Sequence, residues 1–235
     1  MLKIENLNAW YDRSHIIQGV SLHVNKGEIV SIIGRNGAGK TTTLRSVMGL
    51  IDKRKGSVCF NGGDDMLMEP THTRFRHGLA FVPEDRRIVA GLTVRENLRL
   101  GLLASDKKNQ ENEVIERISV TFPRLKERLD QVAETMSGGE QQMLAVARAL
   151  ARDVKLLILD EPYEGLAPVI VHEIERILME IRKLGITTII VEQNAVAALQ
   201  LADKALILDM GKIAFRGTAK EVLEDKELRH EYLAI

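Results

Sequence analysis

Gly34-Arg-Asn-Gly-Ala-Gly-Lys-Thr41 brings three glycines, a lysine and a hydroxyl residue into one short stretch. Glycines at 34, 37 and 39 let backbone amides converge on an anion, Lys40 adds a mobile cation, and Thr41 offers a hydroxyl to a hard metal ion. That combination suits a polyphosphate and its magnesium. The spacing fits G-x-x-x-x-G-K-[ST], a pattern that acts only between a strand and a helix, where the helix N-terminus adds its partial positive charge. Two adjacent carboxylates, Asp160 and Glu161, follow the apolar run Leu156-Leu-Ile-Leu159. An acid at the carboxyl end of a buried strand lies on the edge where open α/β sheets bind ligands. There Asp160 suits magnesium, and Glu161 suits the positioning and polarising of an attacking water. Without residues 34–41 the same Asp-Glu-Pro would read as polar turn residues closing a strand.

A third segment, Ser137-Gly-Gly-Glu-Gln-Gln142, has two readings. Ser137 and Glu140 make an S-x-x-E capping box, and Met143-Leu-Ala-Val-Ala-Arg-Ala-Leu150 supplies a helix for it to open. A cap alone does not ask for two glycines, whereas bare amides at a helix N-terminus let an anion approach closely. The residues by themselves leave both readings open.

The elements that must hold these groups alternate. Residues 2–33 read as short strands, with Glu28-Ile-Val-Ser-Ile-Ile33 running into the glycine loop and a helix over 41–50 behind it. Asp52 to Gly56 reads as a charged turn, residues 57–62 as β structure, and Leu79-Ala-Phe-Val82 as a short buried strand. From 93 to 129 the pattern turns helical and polar, broken by a charged loop over 105–113. After the Ser137 helix come strands at 156–159, 186–191 and 204–209, helices at 168–184 and 194–201, and a tail of short charged helices over 219–235. Continuously apolar strands alternating with helices mean a mostly parallel sheet covered on both faces.

Composition narrows the function classes. The chain has 235 residues and is 45 % hydrophobic, enough for one large domain with a substantial core. Its 33 basic and 33 acidic residues cancel, so no global field attracts nucleic acid, and clusters such as Arg74 to His77 and Arg86-Arg87 read as solvated surface. The single cysteine, Cys59, reads as a strand residue in a reducing compartment. No histidine pair has metal-site spacing, the start lacks a signal-peptide pattern, and no apolar run spans a bilayer.

Together these pieces resemble the ATP-binding subunits of ABC transporters over nearly the whole chain. The resemblance implies a phosphate-loop ATPase fold of the ABC type: a mostly parallel mixed sheet flanked by helices, with an antiparallel β subdomain. It divides the chain into a nucleotide-binding core, 1–92 and 151–235, and a helical subdomain, 93–150. The implied cofactors are ATP and Mg2+. Gly34, Asn36, Gly37, Ala38, Gly39, Lys40, Thr41 and Thr42 would hold the nucleotide, with Tyr11 stacked on adenine, although Trp10-Tyr11 alone reads as edge-strand aromatics. Thr41, Glu84 and Asp160 would hold magnesium, and Glu161, Lys40 and Gln193 would act in hydrolysis. Ser137, Gly138, Gly139 and Glu140 would face the nucleotide of a second subunit in a head-to-tail dimer.

Finer segments look like the smaller ATPase of branched-chain amino-acid importers: Val82-Pro-Glu-Asp, Leu92-Thr-Val-Arg-Glu-Asn-Leu98, Phe122-Pro-Arg-Leu-Lys-Glu-Arg128, Ser137 through Leu144, Gly165-Leu-Ala-Pro168 and Val191-Glu-Gln-Asn194. Urea and short-chain amide importers have closely similar ATPases. The resemblance implies a homodimer or a heterodimer with a related ATPase, two transmembrane permease subunits, an indirect solute-binding protein, and a cytoplasmic place on the inner membrane face. Against the broader family, Glu84 replaces a glutamine and Gln193 a histidine. Gln193 can hydrogen-bond a γ phosphate but cannot take a proton near neutral pH, which leaves Glu161 as the base. Ala167 stands where an aspartate commonly crosses the dimer interface, and Tyr163 and Val89 look particular to this chain. A soluble ABC ATPase acting on DNA or ribosomes would carry coiled-coil or tandem insertions, and a small-molecule kinase would lack the Ser137 segment.

Overall fold

The computed structural model describes residues 1–103 and 110–233. In chain order its strands are β1 (Leu2–Tyr11), β2 (Ser14–Val24), β3 (Ile29–Ile33), β4 (Lys53–Phe60), β5 (Leu79–Val82), β6 (Leu156–Asp160), β7 (Thr187–Glu192), β8 (Lys204–Asp209) and β9 (Lys212–Thr218). Its α-helices are α1 (Lys40–Val47), α2 (Thr71–Arg76), α3 (Val94–Leu102), α4 (Glu111–Thr121), α5 (Pro123–Lys126), α6 (Gly138–Ala149), α7 (Pro168–Lys183), α8 (Ala195–Leu201), α9 (Ala219–Glu224) and α10 (Lys226–Leu233).

Two sheets organise them. The larger runs β5-β6-β7-β3-β8-β9, parallel except for β9, and the smaller is antiparallel in the order β2-β1-β4. Each residue of β3, β6 and β7 is buried, because successive side chains feed two different cores. Val30, Ile32 and Ile158 pack towards α1 and the small sheet, whereas Ile29, Ile33, Leu157 and Leu159 pack towards α3, α6 and α7. Each fully buried aliphatic chain contributes about 1.5–3 kcal/mol, so a charge introduced at Ile158 or Leu159 would cost the sheet its footing. The sheet fixes the site by register: Asp160 lies beside Val191, and Glu192 beside Ile33, the residue before Gly34.

Several expectations need correction. Residues 53–56 are strand, not turn: Trp10 pairs with Lys53 and Ala9 with Arg54, extending the edge of the small sheet with charged side chains. Lys53 lies 5.4 Å from the Trp10 ring centroid, and Arg54 donates to the Leu67 carbonyl at 2.8 Å. α1 ends at Val47 rather than Leu50. Of the charged stretch 105–113, residues 111–113 form the first turn of α4, and 105–109 lie outside the described residues. β9 was hidden because an edge strand with alternating half-burial has no apolar run. Arg74 is not solvated surface: it is fully buried and donates to the carbonyls of Val47, Met66, Leu67 and Glu69. Burial lowers its pKa to about 10, and its guanidinium fastens the C-terminal end of α1 to the 66–69 loop. Among the described residues no helix is long and apolar enough to cross a membrane.

Candidate functional site

β3 ends at Ile33, and residues 34–39 turn the chain into α1. Asn36 to Thr42 line a cavity of about 410 Å³ together with Tyr11, Ile16, Glu84 and Glu161. Gly34 lies below it, buried, with its carbonyl accepting from Lys40 Nζ at 2.9 Å. Lys40 is 4 % exposed; it also donates to the Arg35 carbonyl at 3.3 Å and lies 3.5 Å from Glu161 Oε1. The lysine is thus curled over its own loop and paired with the acid.

Three carboxylates accompany the loop: Glu84 and Glu161 in the cavity lining, and Asp160 buried and bonded to Thr41. Thr41 Oγ1 donates to Asp160 Oδ1 at 2.9 Å, while the buried Oδ2 has no partner. Burial pushes the Asp160 pKa up to about 6, the Thr41 hydrogen bond and Arg45 oppose this, and the charges of Glu161 and Glu84 reinforce it. Glu84 is itself raised, chiefly by a hydrogen bond with the Glu164 carboxyl and then by burial and that neighbour's charge. An orphaned carboxylate oxygen, a hydroxyl and a further carboxylate are all hard oxygen donors, a set that fits magnesium and not a soft metal.

Glu161 is held in an uncommon backbone state, with φ of 49°. A left-handed non-glycine residue costs about 1–3 kcal/mol and persists only where its surroundings hold it. Its amide donates to the Val191 carbonyl at 2.8 Å, which ties the turn after β6 to β7. Tyr11 is 44 % exposed at the mouth of the cavity beside Ile16, while Trp10 points elsewhere and stacks on His15 at 4.4 Å. The aromatic at 11 is therefore the one facing the cavity. The β8–β9 hairpin braces this corner: Gly211 donates to the Ala38 carbonyl at 2.9 Å and accepts from the Gln18 amide at 2.8 Å. At φ 78° a Cβ on Gly211 would come within 1.9 Å of the Ile16 carbonyl, so only glycine fits.

The Ser137 segment lies outside this cavity's lining. Its capping box is present: Ser137 Oγ accepts from the Glu140 amide at 3.4 Å, and Glu140 Oε2 accepts from the Ser137 amide at 2.9 Å. Glu140 also pairs with Arg128 at 3.0 Å, so its carboxylate is committed to holding the cap. Ser137 and Gly138 are exposed at the start of α6, whereas Gly139 is buried. A Cβ at Gly139 would meet Ile170 Cγ2 of α7 at 2.5 Å, so this glycine has a packing reason in addition to any ligand. Gln193 is exposed beyond the end of β7 and does not line the cavity of its own chain.

The roles of four residues escaped the sequence reading. Ile16 walls the cavity, Gly211 braces the loop, and Asn97, fully buried, binds both backbone groups of Val89 at 2.9 and 3.0 Å. Those bonds fix Val89 through its main chain and leave its side chain outside. Glu192, buried beside Glu161, is the fourth; its signal was a carboxylate directly after the apolar run Ile189-Ile-Val191.

Comparison with known proteins gives these groups a context. The family model described as ABC transporter matches residues 17–164. The high-affinity branched-chain amino acid transport ATP-binding protein BraG of Pseudomonas aeruginosa is 43 % identical over 233 residues, 99 % of each chain. The probable branched-chain amino acid transport ATP-binding protein LivF of Archaeoglobus fulgidus is 41 % identical over 97 % of this chain and 96 % of its own. The lipopolysaccharide export system ATP-binding protein LptB of Haemophilus influenzae is 35 % identical, over 99 % of this chain and 97 % of its own. A nucleotide-free ATP-binding cassette from an ABC transporter superposes with a TM-score of 0.87 at 26 % identity, covering 100 % of this chain and 98 % of that one. Since the likeness runs the length of the chain and is not confined to the phosphate loop, the protein belongs to the ABC transporter family, as one of the ATP-hydrolysing cassettes that power transport.

Proposed function

We propose that this chain is the ATPase subunit of an importer for branched-chain amino acids, acting as a head-to-tail dimer on the inner face of the membrane. One observation carries the catalytic part: Lys40, Thr41 and Glu161 line a single cavity, and Thr41 ties it to the buried Asp160, whose Oδ2 lacks a partner. Thr41, Asp160 and Glu84 would hold magnesium, which neutralises charge on the β and γ phosphates. Asn36 to Thr42 bind the phosphates through loop amides and Lys40, and Tyr11 stacks on the base. Glu161, released from Lys40, orients the attacking water and takes its proton. Gln193 donates an amide hydrogen bond towards the γ phosphate.

The exposed Ser137 and Gly138, outside the cavity of their own chain, support a role at the partner's nucleotide. BraG, at 43 % identity, supports the branched-chain solute over the export role of LptB, at 35 %. For the permease we assign a groove of about 360 Å³ between β5 and helices α3 and α6, lined by Phe75, Phe81, Leu100 and the cations Arg86 and Arg148. β5 runs from this groove directly to Glu84, so an occupant would bear on the magnesium side of the site.

The test pairs two substitutions with a recovery experiment. Glu161→Gln should reduce hydrolysis by at least about 100-fold with ATP binding retained, the scale of losing a general base. Ser137→Arg should abolish hydrolysis while each monomer still binds nucleotide; loss of binding itself would refute the action in trans. Copurification from native membranes should return a permease whose reconstituted complex takes up leucine, isoleucine or valine. Return of only ribosomal or DNA-bound partners would overturn the transport reading, and uptake of urea or an amide would overturn the solute.

A further inference from the structure

Glu192 closes β7 and is 2 % exposed, yet none of the chemistry above uses its charge. Its Oε1 accepts from the Tyr163 amide at 2.9 Å, and its Oε2 from the Asn194 amide at 3.3 Å. The first of these bonds matters for Glu161. Pro162 carries no N–H, so the turn after β6 has two amides with which to grip β7: that of Glu161, bound to the Val191 carbonyl at 2.8 Å, and that of Tyr163, bound to Glu192. Between these two bonds sits the left-handed backbone of Glu161. A strained residue persists only where its surroundings hold it, and Glu192 holds the flank at Tyr163.

The second bond reaches the other side. Asn194 follows Gln193 directly, so the same carboxylate reaches over Gln193 and holds the backbone just beyond it. Register places Glu192 against Ile33, the last residue before the phosphate loop. Keeping a carboxylate here is costly. Burial pushes its pKa up to about 7, the amides of Tyr163, Asn194 and Gln193 oppose this, and the charge of Glu161 adds to it. An apolar residue would end the strand at lower cost but would leave these amides unpaired.

We propose that Glu192 is a positioning residue for hydrolysis, its carboxylate clamping the turn that carries Glu161 to the segment that carries Gln193. This rests on the reading of Glu161 as the base, and the experiment separates the two.

Steady-state hydrolysis, ATP affinity and thermal melting are measured on the full chain for Glu192→Leu, Glu192→Gln, Glu192→Asp and Glu161→Gln. Glu192→Leu keeps the volume and removes both acceptors. It should lower kcat about tenfold or more with ATP affinity within about twofold of wild type, since small misplacements of a catalytic group cost up to about 100-fold. Glu192→Gln keeps an acceptor for the Tyr163 amide and should recover kcat to within about threefold of wild type, on the same scale. A wild-type kcat in Glu192→Leu, or loss of kcat, affinity and melting temperature in step, overturns the clamp. Should Glu192→Leu fail to fold, Glu192→Asp decides: one methylene shorter, it cannot span both amides, so a wild-type kcat refutes the proposal and a reduced kcat at unchanged affinity upholds it. Wild-type hydrolysis in Glu161→Gln would remove the base assignment itself, whereas an inactive Glu161→Gln beside a fully active Glu192→Leu sinks this inference alone.

Discussion

Asp160→Asn should make the nucleotide-free protein more stable while abolishing its activity. The folded state raises the Asp160 pKa from 3.8 to about 6, through burial first and then the charges of Glu161 and Glu84. At about 1.4 kcal/mol per pH unit, the ionised carboxylate costs the fold on the order of 3 kcal/mol near pH 7.5. The sign follows from proton uptake. Between pH 4 and 6 the folded chain binds a proton that the unfolded chain has released, so stability falls as pH rises through this window and the penalty is complete above it. Asparagine removes the charge and still accepts from the Thr41 hydroxyl. Its amide group would stand where Oδ2 has no partner, which returns about 1 kcal/mol of the gain. The net is about 2 kcal/mol, or roughly 4–8 °C in melting temperature for a domain of this size. In chelator at pH 7.5 the variant should melt above wild type, and the difference before the amide correction should roughly halve by pH 5. With magnesium and ATP the order should reverse, because only the carboxylate gains from the cation. A variant that melts at or below wild type at pH 7.5 without ligand, or a difference independent of pH, would refute the argument.

Two glycines give further checks. A methyl group at Gly139 would sit 2.5 Å from Ile170 Cγ2, so Gly139→Ala should cost about 1–3 kcal/mol as overpacking and regain much of it when combined with Ile170→Ala. Additive losses in that double-mutant cycle would show that the α6–α7 contact is not the cause. Gly211→Ala puts a Cβ 1.9 Å from the Ile16 carbonyl and breaks the brace on Ala38. ATP affinity should fall about tenfold or more, equivalent to about 1.4 kcal/mol, and an unchanged titration would sink the bracing role.

What the sequence made legible had local causes. The phosphate loop, the Ser137 cap and the fully apolar strands each follow from neighbouring residues: glycine placement, an S-x-x-E spacing, and continuous burial on two faces. What it hid depends on distant partners. Arg74 reads as a surface cation until carbonyls from four positions are seen to surround it. Lys53 to Gly56 read as a turn until β1 pairs with them, and Glu192 reads as one more residue of the Val191 to Asn194 segment until the Tyr163 amide, 29 residues away, is found on it. The packing role of Gly139 was equally hidden, since Ile170 reaches it only through the packing of α7.

The Ser137 segment is mechanically joined to its own chain's cavity by two routes. One starts at Glu84: two residues on, Arg86 donates to Gln142 of α6 at 3.2 Å, and a Cβ on Gly138 would lie 3.3 Å from its guanidinium. The other starts at Glu161 and runs through residues 162–167 into α7, where Ile170 packs on Gly139 and Glu173 pairs with Arg124 at 3.2 Å. Neither route has slack at its far end, because one closes on a side-chain amide and the other on a contact with no room for a methyl group. On the proposed mechanism the surroundings of Glu84 and Glu161 would change when magnesium and a γ phosphate arrive, one by gaining a cation and the other by losing Lys40. A change of charge in one cavity would therefore shift the exposed Ser137 of the same chain. In the proposed head-to-tail dimer that serine would face the other nucleotide, and each site would feel the state of its partner without any direct contact between the two phosphate loops.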